Sequence, residues 1–219
     1  IAEAAHKAGA LVHTDAVQAV GKMNVNVKEL DVDYLSYSAH KIYGPKGVGI
    51  LYIKEGAPFS PYIQGGHQET GRRSGTENVC GIIGLGKAAE IAMQEMDNWC
   101  KQNAFLKDKL AKGLKEKLPF VQFNGDPENS LPHVLNVSFI GCEGEVLLVF
   151  LDQTGISVST GSACSSGLPS YVLKNIGLSS EIVNSTIRFS LGYHNTDEQI
   201  EYTLTELQKI IPRIRNGII

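Results

Sequence analysis

A lysine stands directly behind a Ser-Ala-His triplet and ahead of three closely spaced glycines in "SYSAHKIYGPKGVG", residues 36–49. A lysine amine can hold a carbonyl cofactor as a Schiff base when its surroundings fix the cofactor's phosphate, its ring nitrogen and its orientation. The sequence offers a group for each task. Ser38 and His40, where a strand runs into a loop just before Lys41, can donate hydrogen bonds to a phosphate. Asp15, closing "LVHTD", can pair with a protonated pyridine nitrogen and keep the ring an electron sink, and Gln18, three residues on, can reach a phenolic oxygen. Gly44, Gly47 and Gly49 let the backbone turn and approach closely. The same residues also admit a plainer reading, in which Lys41 is a solvated loop charge and Asp15 a turn residue after a strand. A P-loop is a poor match: "GPKGVG" lacks the G-x-x-x-x-G-K-[ST] spacing and reads as a turn entering a strand.

The elements that must position these groups follow from periodicity. Runs at 10–15, 33–38 and 47–53 read as strands of a largely buried sheet, with a weak helical patch over 17–30. A long Ala-, Lys- and Glu-rich helical region runs from Asn78 to about Leu118, where Pro119 stops it. Beyond it the pattern predicts a strand over 133–140, a helix over 143–155 ending at Gly155, a strand over 156–160, a short helix over 171–176, a strand over 185–191 and a last helix from Asp197 to Ile214. Thr196 and Gln199 have capping-box spacing at the start of that helix, and Pro212 is expected to perturb its last turn. The class is α/β, with a first domain over 1–95 and a smaller α+β domain over 96–219. "IAEAAHKAG" reads as the end of a helix capped at Gly9 with no residue to start it, so the chain is expected to be part of a longer protein.

The 219 residues are 42% hydrophobic and 20% charged, enough for a sizeable core. A net charge of −3 without a basic run argues against nucleic acid as a partner. Short apolar stretches predict no membrane span and no signal peptide, and the chain reads as cytoplasmic. Cys80, Cys100, Cys142 and Cys164 form no C-x-x-C pair, so no metal site is expected and most are expected to be buried thiols. His13 and His67 read as hydrogen-bonded structural histidines, and Arg72 and Arg73 as residues that order the segment carrying Thr76.

Five segments, "HTDAVQAVGK" (13–22), "SYSAHKIYGPKGVGILY" (36–52), "GGHQETGRRSGTEN" (65–78), "SVSTGSACSSG" (157–167) and "TIRFSLG" (186–192), together resemble the NifS/IscS-like cysteine desulfurases of the aminotransferase class V group. The resemblance covers the chain end to end but only the C-terminal half, or slightly more, of a typical member. It implies the C-terminal part of a fold type I, pyridoxal-phosphate-dependent large domain followed by a small domain carrying a catalytic cysteine loop.

Residue by residue, the resemblance makes Lys41 the Schiff-base lysine for pyridoxal 5′-phosphate, Asp15 the pyridinium partner and Gln18 the ligand of the phenolic oxygen. It makes Ser38 and His40 phosphate ligands. Thr76 matches a threonine that reaches the cofactor phosphate of the neighbouring subunit, which implies a homodimer. Arg188 matches the arginine that clamps the substrate carboxylate, a bidentate task suited to its planar fork. Cys164 matches the nucleophile that takes sulfur from L-cysteine, leaving L-alanine and a Cys164 persulfide for an iron–sulfur scaffold or another sulfur acceptor. Two departures stand out: the family's upstream segments, with their ring-stacking histidine and phosphate-binding turn, have no counterpart here, and "SSGLPSYV" is about two residues shorter than the family's stretch after the cysteine. A selenocysteine lyase, a class V aminotransferase, or a non-catalytic fragment that dimerises or docks a scaffold are the competing readings.

Overall fold

The computed structural model describes residues 1–126, 129–161 and 169–217. They form two compact units, Ile1–Asp97 and Asn98–Ile219.

In the first unit, α1 (Ala2–Lys7) leads into β1 (His13–Asp15), and α2 (Val27–Leu30) lies in the crossover to β2 (Tyr34–Ser38). β1 and β2 run parallel, with Asp15 opposite Ser36, and β3 (Gly49–Ile53) pairs antiparallel with β2, placing Gly49 opposite Ser38. A parallel pair needs a long connection, and residues 16–33 supply it. The helical patch expected over 17–30 contracts to the four residues of α2. Two local features divide it: Gly21 turns with φ +73°, and the Asn26 side chain caps the next helix by accepting from the Lys28 N–H at 3.0 Å. Strand β1 also starts later than 10, because Asp33 takes the backbone of Val12 ahead of it, its Oδ2 accepting from the Val12 N–H at 2.8 Å. Two small apolar clusters hold this unit, Ala16, Val32 and Leu35 in one, Ala39, Ile42, Leu85 and Ala88 in the other.

Helix α3 (Val79–Lys117) begins in the first unit and continues into the second. Its first turn is capped by Asn78, whose Oδ1 accepts from the Gly81 N–H at 3.1 Å. Its buried residues keep helical spacing: Leu85, Ala88 and Ala92 early, then Leu106, Leu110 and Leu114. It ends two residues before Pro119, where the missing N–H bars a further turn.

The second unit has an antiparallel sheet in the order β4 (Val121–Phe123), β5 (Val134–Phe139), β6 (Thr186–Ser190). Helices α4 (Gly144–Gln153) and α7 (Asp197–Arg215) join the end of α3 around a core in which Val137, Phe139, Leu147, Leu151, Ile187, Leu207 and Ile211 are all fully buried. Short helices α5 (Tyr171–Asn175) and α6 (Ser180–Asn184) lead to β6. At the α7 start, Thr196 and Gln199 form the expected reciprocal capping box. Pro212 sits inside α7, which runs on to Arg215. The expected strand over 156–160 is not formed. Gly155 turns with φ +80° and the Ile156 N–H stays bonded to the Leu151 carbonyl at 3.0 Å, so only Ser159 reaches the sheet, as a single bridge to Arg188. β4 and α6 were not anticipated, although Ser179 signals α6 by accepting from the Ile182 N–H at 3.4 Å. Among the described residues no helix is long and apolar enough to cross a membrane, and no group of three or more His, Cys, Asp or Glu could hold a metal ion.

Candidate active site

Because β1 and β2 are parallel, they end on the same edge of the sheet, and Asp15 closes one as Ser38 closes the other. The carboxyl ends of parallel strands are the usual place for a ligand in α/β sheets. After Ser38 the chain makes a short 3₁₀ turn over Ala39–Ile42. Ala39 and Ile42 are 0% and 2% exposed and anchor that turn from below. Between them His40 is exposed and Lys41 half-buried. Tyr43, at φ 66°, ends the turn in the left-handed region. Gly49 then starts β3 where the backbone leaves no room for a side chain: a Cβ there would lie 2.8 Å from the Tyr37 carbonyl oxygen.

The polar groups at this edge are arranged locally. The Ser38 Oγ and the His40 Nδ1 lie 2.8 Å apart in a hydrogen bond that fixes the imidazole beside the lysine. Asp15 accepts from the Val17 N–H through Oδ1 at 2.9 Å, which shapes the turn toward the exposed Gln18. His13 Nε2 and Ser36 Oγ, 3.2 Å apart, tie the first residue of β1 to the middle of β2, a structural role. Among the described residues the Lys41 ammonium makes no hydrogen bond or ion pair.

One residue at this edge escaped the sequence reading. Lys22 follows Gly21, whose Cα packs so closely on Ile42 that a Cβ would meet Ile42 Cγ2 at 2.7 Å. Burial, and secondarily the Lys41 charge, pull Lys22 below the ordinary lysine range. No motif spacing signals this neighbour; it follows from how the turn after β1 folds onto the turn after β2.

The other expected residues sit elsewhere. Thr76 is exposed on the loop before α3, and no hydrogen bond among the described residues ties it to the Lys41 turn. Of the two arginines expected to order its loop, Arg73 donates from Nη1 only to the adjacent Ser74 carbonyl at 3.0 Å and Arg72 makes no hydrogen bond or ion pair among the described residues, while Ser74 donates through Oγ to the Ile63 carbonyl at 2.9 Å. In the second unit Arg188 lies mid-strand in β6 opposite Asn136, half-exposed, its guanidinium without a hydrogen bond or ion pair among the described residues. Its backbone bridges Ser159, donating to the Ser159 carbonyl at 2.6 Å. Cys164 lies outside the described residues. The segment leading to it is pinned, because the Ser159 hydroxyl donates to the Gly161 carbonyl at 2.7 Å and the Thr160 hydroxyl to Glu145 at 2.6 Å. Of the remaining cysteines only Cys142 is buried, and burial pushes its thiol up against the opposing pull of Arg215, which leaves it protonated and structural. Cys100 is half-buried, and Cys80 is exposed because it falls on the outer face of the first turn of α3.

Known proteins resemble this chain in both sequence and fold. The aminotransferase class-V family model matches residues 1–203. The cysteine desulfurase IscS of Dictyoglomus turgidum is 50% identical over 205 residues, covering 93% of this chain and 52% of its own length. The cysteine desulfurase NifS of Azotobacter vinelandii is 44% identical over 218 residues, 99% of this chain and 54% of that protein. A solved NifS-like protein superposes with a TM-score of 0.85 at 42% identity, covering 93% of this chain and 53% of its own. The NifS-like protein from Rickettsia africae gives a TM-score of 0.89 at 31% identity, covering 96% and 56%. The chain thus spans about half the length of the curated relatives it matches.

Proposed function

This chain belongs to the aminotransferase class-V family, and we propose that it supplies the lysine- and cysteine-bearing part of a pyridoxal-phosphate-dependent cysteine desulfurase. The observation that carries the reading is the gathering of Lys41, unpaired among the described residues, the Ser38–His40 pair and Asp15 at the carboxyl edge of two parallel strands.

The donor set fits the cofactor's chemistry. Asp15 has spent Oδ1 on the Val17 N–H, which leaves Oδ2 of its exposed carboxylate to meet a ring nitrogen. The Ser38 hydroxyl and His40 ring offer hydrogen bonds to a phosphate, and Gln18 an amide to a phenolic oxygen. Lys41 would be the point of covalent attachment. When bound, pyridoxal phosphate supplies an electron sink for the bonds at the substrate Cα.

The chain's own residues then divide the remaining work. Arg188 holds the carboxylate of L-cysteine with its planar fork. The Lys41 amine moves a proton at Cα. Cys164, as thiolate, forms a bond to the substrate sulfur while the carbon–sulfur bond breaks, so the carbon skeleton leaves as alanine after protonation and the sulfur stays as a Cys164 persulfide. The persulfide's outer sulfur passes to the thiol of an acceptor such as an iron–sulfur scaffold. Thr76, exposed ahead of α3, is assigned to the phosphate of a second subunit's site, which makes the working form a homodimer.

Borohydride reduction with pyridoxal phosphate, followed by peptide mass mapping, tests the lysine. The expected product is a single pyridoxyl group on Lys41 that disappears in Lys41→Ala. Label spread evenly over surface lysines, with Lys41 no more reactive than the rest, would overturn the assignment.

A further inference from the structure

At the opposite edge of the first sheet from Asp15 and Lys41, one histidine faces two carboxylates. His6, near the end of α1, places Nδ1 3.2 Å from Asp31 Oδ2 and Nε2 2.9 Å from Asp33 Oδ2. A neutral imidazole has one donor and one acceptor nitrogen, and a carboxylate offers only acceptors. Both contacts are therefore hydrogen bonds only when both ring nitrogens carry protons. The carboxylates are themselves committed. Asp33 is 7% exposed and also accepts from the Val12 N–H at 2.8 Å, while Asp31, in a left-handed turn after α2, accepts from Lys54 Nζ at 2.7 Å. Among the described residues His6 is thus the side chain that joins α1 to both the entry of β2 and the Asp31–Lys54 pair.

We propose that His6 is a proton-operated latch for α1: as the imidazolium it clasps Asp31 and Asp33 together and fixes the helix to the sheet, and as the neutral imidazole it lets one of them go. The Asp33 bond to Val12 does not involve His6, so opening the latch leaves the β1–β2 pairing in place.

The other charges around the ring act in a consistent direction. On α1 itself Glu3 is paired with Lys7 at 2.6 Å. Facing it are Asp31, Asp33 and Lys54, with Tyr52 acting on Lys54 from β3. The hydrogen bond that Asp33 accepts from His6 is the chief reason the imidazole is held above its ordinary value, and burial opposes it. A group raised in the docked state adds stability that is complete below its ordinary value, about 6.5, and is lost as pH rises through the raised one. Asp33, lowered chiefly by His6, and Asp31, lowered chiefly by Lys54, close the window on the acid side, below the ordinary carboxylate value of about 3.9. The latch is engaged between these limits.

The test needs no cofactor, so its outcome is independent of the catalytic reading. Nuclear magnetic resonance follows the His6 ring and the exchange of the Ala5, Ala8 and Gly9 amides between about pH 5 and pH 9, corrected for the intrinsic pH dependence of exchange. The His6 midpoint is expected above that of an unperturbed histidine. α1 protection should fall through the same midpoint, by ten raised to the number of pH units by which the midpoint is displaced. Asp31→Asn, an exposed change, should bring the midpoint down and shrink the fall in proportion. His6→Gln should leave protection independent of pH, at the wild-type alkaline level. A His6 midpoint at or below the ordinary value, or α1 protection that does not change across the titration, would overturn the proposal.

Discussion

Two buried side chains, Ala39 and Ile42, hold His40 and Lys41 between them, and their packing reaches across to Lys22 through the tight contact of Gly21 with Ile42. The influence of Lys41 on Lys22 can be measured. Lys41→Met removes the nearby charge, so Lys22 should titrate higher, though still below an ordinary lysine because burial is the larger cause and remains; resonances of isotopically methylated lysines would report it. Gly49 is the neighbouring backbone constraint. Gly49→Ala sets a methyl against the Tyr37 carbonyl oxygen, which cannot give way without breaking the β2–β3 register, and should lower stability by about 1–3 kcal/mol in urea unfolding.

At the scale of elements, the features most legible in the sequence are those decided within a few residues. The Thr196–Gln199 capping box, the stop before Pro119 and the turn carrying Lys41 depend on local chemistry and were read directly. Thr196→Ala should remove the cap and cost about 1 kcal/mol, seen as a lower urea midpoint with an unchanged slope. What was not legible depends on distant partners. The alternation in "ISVST" reads as a strand, yet the helix exit at Gly155 keeps Ile156 and leaves only Ser159 to pair. Lys22 and the His6 cluster are brought into place by the parallel pairing of β1 with β2, which no short window of sequence encodes. The cysteines read mostly as buried thiols, yet of the three described only Cys142 is buried, Cys100 being half-buried and Cys80 exposed in the first turn of α3.

For the whole molecule, the exposed apolar surface of the first unit is its most consequential property. Ile50 and Leu51, successive residues of β3 that point to opposite faces, are 39% and 47% exposed, and β3 has no strand on its outer side among the described residues. An exposed apolar edge strand invites pairing with another chain. The double change Ile50→Lys and Leu51→Thr should lower light scattering of concentrated solutions severalfold while leaving the thermal midpoint within a few degrees, since neither side chain is buried. The second unit raises a question of time instead. The buried hydroxyls of Ser138 on β5 and Thr186 on β6 bond at 2.8 Å across 48 residues of chain. At about 5–20 residues per second on the ribosome, β5 waits about 2–10 s for its partner to be made. Through that interval Val137 and Phe139 have no finished sheet to enter, so synthesis itself exposes the part of the core that the folded protein hides most completely.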